Sequence, residues 1–116
     1  MLSAENRLRK KKDFEILFAK GKNVFDTLYG VRFRKNMLPV SRFAFVVGTK
    51  VSKSAVVRNR IRRRLREIIR HRIFSLESGY DVAFIARVEA KNASFHVLEE
   101  RMDALLKKTP FLKKDV

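Results

Sequence analysis

The sequence predicts an α/β (α+β) two-layer sandwich whose elements follow the order α-β-β-α-β-α around a mixed sheet. Apolar residues recur at helical spacing in three segments, and apolar runs of strand length lie between these segments. With 116 residues, of which 46% are hydrophobic, the chain can bury one core and is too short for two ordinary domains. We therefore expect residues 1–116 to form a single domain.

The first predicted helix covers residues 12–20. Phe14, Leu17 and Phe18 share one stripe of this segment, as the buried side of a short amphipathic helix requires. Gly21 follows at the position where helices commonly end, and therefore sets the expected end of the helix.

Two predicted strands follow the first helix. Residues 24–35 are rich in strand formers and carry apolar side chains at alternate positions in their second half. A turn over residues 36–39, which contain Asn and Pro, separates this strand from a second one over residues 42–48. Because a short turn joins them, we expect the two strands to pair antiparallel.

The second half of the chain contains the longest predicted helix, from residue 55 to about residue 74, with Ser54 as a candidate N-cap. Residues 80–86 form an apolar run that predicts a strand covered on both faces. Ser94 can cap a last helix that extends to about residue 108. The apolar stripe of the long helix consists of Val57, Ile61, Leu65 and Ile68.

The charge of the chain indicates its partner. Lys and Arg number 28 against 12 Asp and Glu, a net charge of +16. Residues 50–72 hold ten bases and one acid, whereas residues 73–116 are neutral overall. Such a concentrated excess repels itself unless a polyanion supplies the opposite charge, and nucleic acid is the commonest polyanion. We therefore expect residues 1–116 to be a nucleic-acid-binding domain.

Several classes of protein do not fit this sequence. It contains no cysteine, which excludes a disulfide framework and a thiolate metal site. The basic start has no apolar segment behind it, so no secretory signal is recognisable and the expected location is cytoplasmic. The longest apolar runs fall far below the roughly 20 residues of a membrane helix, which excludes a membrane span. The exposed face of the long helix has no aromatic or Leu cluster to insert into lipid, so we expect no membrane partner.

An arginine-rich segment carries the strongest functional signal. Six of the nine residues from 58 to 66 are arginine, and they lie opposite or beside the apolar stripe of the long helix. The planar guanidinium can pair with phosphate in bidentate fashion and stack on an unpaired base. A solvated helix face normally mixes charges of both signs, but Glu67 is the only acid between residues 50 and 72.

The sequence as a whole resembles the protein subunit of bacterial ribonuclease P. Four segments carry the resemblance: LRKKKDFEILFAKG (8–21), RFAFVVGTKVSK (42–53), AVVRNRIRRRLR (55–66) and GYDVAFIAR (79–87). The resemblance implies an accessory subunit of an endoribonuclease that removes the 5′ leader from precursor tRNA. It also implies a left-handed connection from the second strand through the arginine-rich helix to the third.

The resemblance further implies the partners and their contact residues. The catalytic RNA would carry out the reaction with Mg²⁺ that the RNA holds, and the protein would join it in a 1:1 complex without another protein partner. The residues expected to bind this RNA are Lys50, Lys53, Arg58, Asn59, Arg60, Arg62, Arg63 and Arg66. The residues expected to bind the precursor tRNA leader are Lys10, Lys11, Phe14, Phe18, Tyr29, Arg32 and Phe33.

Five of these leader assignments depend on local geometry. Phe residues spaced i and i+4, such as Phe14 and Phe18, are more often core contacts, although a ring can support its helix with one face and stack with the other. In the first strand, a one-residue change of register exchanges Tyr29 and Phe33 for Arg32 at the cleft. The sequence leaves that choice open.

A protein active site is not recognisable. His71 and His96 lie on different elements, and no group of His and carboxylate residues has the spacing of metal ligands. Glu99 and Asp103 could chelate a cation, but ion pairs with neighbouring bases explain them better. We therefore expect no catalytic residue, no metal site and no cofactor bound by the protein alone.

Three other functions remain to be compared with this hypothesis. A ribosomal or RNA-chaperone protein could use the same helix on structured RNA without a role in tRNA processing. A protein-only nuclease would need the carboxylate or His ligands that are missing from the sequence pattern. A DNA-binding helix is disfavoured because arginines almost all round the exposed face suit phosphates better than base edges.

Overall fold

The structure, a computed structural model, describes residues 2–114. A four-stranded sheet in the order β1-β2-β4-β3 carries two helices on one face and one helix on the other. The elements are α1 (Lys11–Lys20), β1 (Lys22–Phe25), β2 (Tyr29–Lys35), β3 (Arg42–Val46), α2 (Ala55–Arg70), β4 (Tyr80–Ala86) and α3 (Phe95–Leu106), with short 3-10 turns at Ala4–Asn6, Ile73–Ser75 and Val88–Ala90. This architecture confirms the predicted α+β class and mixed sheet, while α1 adds a helix on the second face of the sheet to the two layers predicted.

The pairing of β2 with β3 predicted from the sequence is wrong. Strand β4 lies between them and pairs antiparallel with β2, so that Tyr29 is opposite Ala86 and Lys35 is opposite Tyr80. Strand β3 pairs parallel with β4, and α2 supplies the crossover that a parallel pair needs. The sheet is therefore mixed, as predicted. The left-handed sense of this crossover stays a prediction of the resemblance.

The sequence predicts one strand over residues 24–35, whereas the structure has two, β1 and β2. The structure divides this region at a tight turn in which the Asp26 N–H donates to the Tyr29 carbonyl at 2.8 Å. Only four residues pair, with Lys22 opposite Phe33 and Phe25 opposite Gly30. A strand this short at the sheet edge, beginning with two polar residues, carries too little alternation to be separated from its neighbour.

Helices α2 and α3 build the main core on one face of the sheet. Their buried residues pack against the odd-numbered residues of β2 and the even-numbered residues of β4. The largest fully buried side chains of this core include Tyr29, Phe84, Ile61, Leu65, Ile68, Leu98 and Met102. The apolar stripe predicted for α2 is thus confirmed, although Val57 is only partly buried and the helix ends at Arg70, not near residue 74.

Helix α1 lies on the opposite face. Leu17 is 1% exposed and packs with Leu8, Ala44 and Ala83, and Phe14 covers the side of this small cluster. Gly21 ends the helix as predicted, but its φ of −75° shows that it is not in the left-handed conformation. A Cβ at Gly21 would lie 2.5 Å from the Leu17 carbonyl oxygen, so close approach of the backbone explains the glycine.

The remaining elements agree closely with the sequence. Strand β4 covers the residues predicted for it, and the Ser94 hydroxyl accepts the Val97 N–H at 3.2 Å as the N-cap of α3. No helix within residues 2–114 has both the length and the apolar character needed to cross a membrane.

Candidate nucleic-acid interface

Helix α2 and the loop before it form an arginine surface, which we define as the residues predicted to bind the catalytic RNA: Lys50, Lys53, Arg58, Asn59, Arg60, Arg62, Arg63 and Arg66. Ser54 caps the helix, because its hydroxyl accepts the Val57 N–H at 3.3 Å. Ser52 supports the cap by accepting the Ser54 N–H at 3.1 Å. The buried stripe anchors the helix on the sheet and leaves the arginines on the outside.

Two arginines of this surface also fix the loop between β3 and α2. The Arg58 guanidinium donates to the Ser52 and Lys53 carbonyls at 3.0 and 2.9 Å. Arg62 donates to the Val47 carbonyl at 3.3 Å and to the Asn59 side chain. Because carbonyl groups do not neutralise a guanidinium, both side chains are held in place and remain positively charged.

The other arginines project from the helix. Arg60 and Arg63 are exposed and form no ion pair with any acid of residues 2–114. The Arg66 guanidinium lies 5.9 Å from the centre of the Phe45 ring, a cation–π distance. Lys50 and Lys53 are exposed in the preceding loop. The arginine surface therefore combines fixed and freely projecting cations.

The only acid of α2 lies at its C-terminal end. Glu67 accepts hydrogen bonds from Arg70 and lies 2.9 Å from the His71 ring nitrogen. The Arg70 guanidinium, followed by His71, lowers the pKa of Glu67 to about 2. The negative charge of Glu67 is thus compensated by neighbouring bases at the C-terminal end of the helix. The N-terminal part of the helix therefore keeps its positive electrostatic potential.

The side of the sheet that carries α1 forms an aromatic cleft. The rings of Phe14 and Phe18 stack with centroids 6.4 Å apart and planes inclined by 13°. Phe14 is half-buried against the small cluster, whereas Phe18 keeps 42% of its surface exposed. Arg32 lies on this face and donates to the carbonyls of Leu17 and Phe18. It therefore satisfies carbonyl groups at the C-terminal end of α1.

The two aromatic residues of β2 that were expected at this cleft lie elsewhere. Tyr29 is fully buried on the opposite face, where its hydroxyl donates to the Leu98 carbonyl at 2.9 Å, and burial raises its pKa. Phe33 is 6% exposed and packs edge-on against Phe111 with ring centroids 5.4 Å apart. Their assignment to the leader cleft is therefore corrected: the register turns them toward α2 and α3, and turns Arg32 toward α1.

Strand β1 adds an aromatic ring that the sequence analysis missed. Phe25 is 58% exposed and stands opposite Gly30, on the same face as Arg32. A Cβ at Gly30 would lie 3.2 Å from the Phe25 ring, so the glycine leaves room for the ring to lie over the sheet. The apolar pair Val24 and Phe25 before Asp26-Thr27 was the available signal. We define the aromatic cleft as Phe14, Phe18, Phe25 and Arg32.

The aromatic cleft leads toward the arginine surface. Val46 and Ile85 continue the same face of the sheet and border a groove of about 550 Å³, whose far wall includes Lys50 and Val88. At the other end of α1, Lys10 and Lys11 are exposed, and the Lys11 ammonium lies 3.9 Å from the Glu15 carboxylate. The groove, which Glu89 also lines, and the start of α1 thus place Lys50, Lys10 and Lys11 in the surroundings of the aromatic cleft.

Metal-binding geometry is not present in the part of the chain that the structure describes, where no three His, Asp or Glu residues are grouped to hold an ion. Glu99 and Asp103 both pair with Arg72, at 3.2 Å from Glu99 and 2.5 Å from Asp103. The nearby bases Arg101 and Lys107, which the sequence suggests as partners, do not pair with Glu99 or Asp103. The salt bridges join α3 to the end of α2 and serve the fold.

Comparison with known proteins assigns the family. The family model described as Ribonuclease P matches residues 2–110. The ribonuclease P protein component of Caldanaerobacter subterraneus subsp. tengcongensis is 40% identical over 104 residues, which cover 90% of this chain and 89% of that protein.

Solved structures agree with this match. The ribonuclease P protein of Staphylococcus aureus superposes with a TM-score of 0.86 at 26% identity and covers 93% of this chain and 98% of its own. The ribonuclease P protein of Thermotoga maritima, in complex with 1-(4-fluorophenyl)-2-thiourea, gives a TM-score of 0.81 at 34% identity, with 89% and 99% covered. The chain therefore belongs to the family of ribonuclease P protein components, the protein subunits of a ribonucleoprotein endonuclease that processes tRNA.

Proposed function

We propose that this protein binds a catalytic RNA through the arginine surface and the 5′ leader of precursor tRNA in the aromatic cleft. The RNA, with Mg²⁺ that it holds itself, would carry out the hydrolysis, and the protein would be an accessory in a 1:1 complex in the cytoplasm. The observation that supports this division most directly is the stacked pair of half-buried Phe14 and exposed Phe18 on one face of the sheet, together with the arginines of α2 that form no ion pair with acids of residues 2–114. Such a combination binds single strands without reading their sequence.

The geometry fits a leader better than a folded RNA in the cleft. Unpaired bases stack on aromatic rings for about 1–3 kcal/mol each, and a leader is unpaired. Lys10 and Lys11 can approach its phosphates at the start of α1. A ribosomal or RNA-chaperone function, the alternative from the sequence, gives no reason for this cleft and is disfavoured by the family match.

A reconstitution experiment tests where catalysis lies. Purified protein freed of RNA is incubated with precursor tRNA and Mg²⁺, and we expect no cleavage until the catalytic RNA is added. Cleavage by the RNA-free protein would contradict the proposed accessory role. In the same assay, binding and cleavage of precursor tRNA are measured beside those of a structured ribosomal RNA fragment, which the alternative function would favour.

A charge-matched pair of variants tests the arginine surface. Arg60→Ala with Arg63→Ala removes two exposed cations that make no ion pair with acids of residues 2–114, so the fold should persist while affinity for the catalytic RNA falls. Lys91→Ala with Lys107→Ala removes the same charge from exposed sites elsewhere. An equal loss of affinity for the catalytic RNA in both double variants would mean that net charge alone, and not the arginine surface, determines binding.

A further inference from the structure

A second basic site lies at the other end of the sheet from the arginine surface. A depression of about 390 Å³, which we call the distal pocket, is lined by Lys20, Lys22, Arg34 and Lys35 together with Phe33, Tyr80 and Pro110. No acid lines it, and none of the four bases forms an ion pair with an acid of residues 2–114. We propose that the distal pocket binds a phosphodiester of an RNA strand.

The distal pocket is separate from the arginine surface. Lys35 and Tyr80 stand opposite each other at one end of β2 and β4, while Tyr29 and Ala86 mark the other end. Seven residues of strand span about 20 Å. Helix α2 begins beyond the Tyr29 end, after β3 has run parallel to β4. One phosphate cannot reach both sites, so the two sites need different parts of the RNA.

The chemistry of the distal pocket suits a nucleotide. Four cations around one depression repel one another, and a phosphodiester entering it removes that repulsion. Tyr80 is half-buried with its ring centroid 5.6 Å from that of Phe111, and its hydroxyl forms no hydrogen bond within residues 2–114. This phenol can donate to a phosphate oxygen, or its ring can contact a base.

The leader is the favoured source of this phosphodiester, an assignment that rests on the proposed function. Lys20 is the last residue of α1, and Lys22 begins the edge strand directly afterwards. Because Phe33 and Tyr80 lie on the face of the sheet that carries α2 and α3, a leader strand that leaves the aromatic cleft reaches the distal pocket by passing round this edge of the sheet, where Lys20 and Lys22 lie. The catalytic RNA is the other source of the same chemistry, and the experiment separates the two.

Site-directed cross-linking identifies the source. Because the chain contains no cysteine, Lys35→Cys creates a single attachment point for a photoreactive group at the distal pocket. Lys91→Cys, on an exposed turn, is the matched control. In the reconstituted holoenzyme with precursor tRNA, we expect the Lys35 probe to cross-link the upstream part of the leader. Cross-links to the catalytic RNA would support the site with that RNA as its source, whereas no excess over the control would overturn the proposal.

Affinity measurements give an independent readout. Lys22→Gln with Lys35→Gln should weaken binding of precursor tRNA with a long leader by about fivefold per lost contact, the effect of removing one of two charges about 4 Å apart in water. Substrates with a leader too short to leave the aromatic cleft should bind as before. Lys91→Gln with Lys107→Gln is the charge-matched control, and an equal loss in that pair would overturn the proposal.

The same measurements separate this inference from the proposed function. Preference of the parent protein for short-leader precursor over mature tRNA depends on the aromatic cleft alone. If that preference is missing, the proposed function fails, whatever the distal pocket does. If it is present but the Lys22 and Lys35 variant binds every substrate and the catalytic RNA as the parent does, the distal pocket has no RNA ligand.

Discussion

Replacing Phe18 with alanine should reduce the affinity of the holoenzyme for precursor tRNA without changing its affinity for mature tRNA. Phe18 is 42% exposed and stacks on Phe14 with centroids 6.4 Å apart, so its outer surface is available to a base of the leader. Loss of one stacked base is worth about 1–3 kcal/mol, which is about fivefold to 150-fold in affinity. Mature tRNA has no leader, so the affinity of the holoenzyme for it should not change.

The cost to folding can be separated from the effect on binding. Truncating a fully buried Phe costs about 3–5 kcal/mol, and a ring that is 42% exposed should cost about half of that. Urea denaturation measures this cost. Phe74→Ala is the matched control, because Phe74 is 91% exposed and lies beyond the far end of α2. That variant should change neither stability nor leader preference.

The assay is equilibrium binding of labelled precursor and mature tRNA at saturating catalytic RNA, under conditions that prevent cleavage. The quantity of interest is the ratio of the two affinities, because a general loss of folded protein lowers both equally. A folded Phe18→Ala protein with the parent ratio would refute the aromatic cleft as a leader site. A changed ratio in the Arg60 and Arg63 variant alone would mean that the two surfaces are assigned the wrong way round.

Three further predictions concern the charges and the core. Affinity for RNA should fall by about 0.7 log units per log unit of salt for each single-strand phosphate contacted, and a flat salt titration would contradict the electrostatic argument. Asp81→Ala should lower the free energy of unfolding in urea by about 3 kcal/mol, because Asp81 is 7% exposed and accepts two hydrogen bonds from Arg42 at 2.8 and 2.7 Å; exposed Glu89→Ala should change it little. Burial raises the pKa of Tyr29 above its ordinary 10, so the phenol stays protonated in the folded chain while the unfolded chain ionises. Stability should therefore be fully present below about pH 10 and fall above it, and Tyr29→Phe should lessen that fall in denaturation experiments at rising pH.

The helices and the central strand could be predicted from the sequence because each carries a complete local signal. Helix α2 has a serine cap, an apolar stripe and a charged remainder, and six of the seven residues of β4 are apolar. The pairing of strands has no such local signal. The same residues could form an antiparallel β2-β3 hairpin or a sheet in which β4 lies between β2 and β3. Which of the two arrangements forms depends on how α2 crosses the sheet.

The arginine surface could be predicted as a set of residues, but not as a structure. Composition and spacing identify the arginines of α2, since nothing else explains so many bases with one acid. They do not show that Arg58 and Arg62 hold the loop before the helix through carbonyl groups. These two residues therefore combine a structural role with an electrostatic one, and their substitution would change both stability and RNA affinity.

The aromatic cleft could be predicted only in part, because alternation in a strand shows that two faces exist and not which face meets which helix. Both faces of β2 are covered, so burial of Tyr29 and Phe33 was compatible with either side. Arg32 decides the question in the structure, because its guanidinium donates to the Leu17 and Phe18 carbonyls at the end of α1. Once Arg32 is fixed there, Tyr29 and Phe33 must face α2 and α3, and the ring that completes the cleft has to come from the edge strand, as Phe25 does.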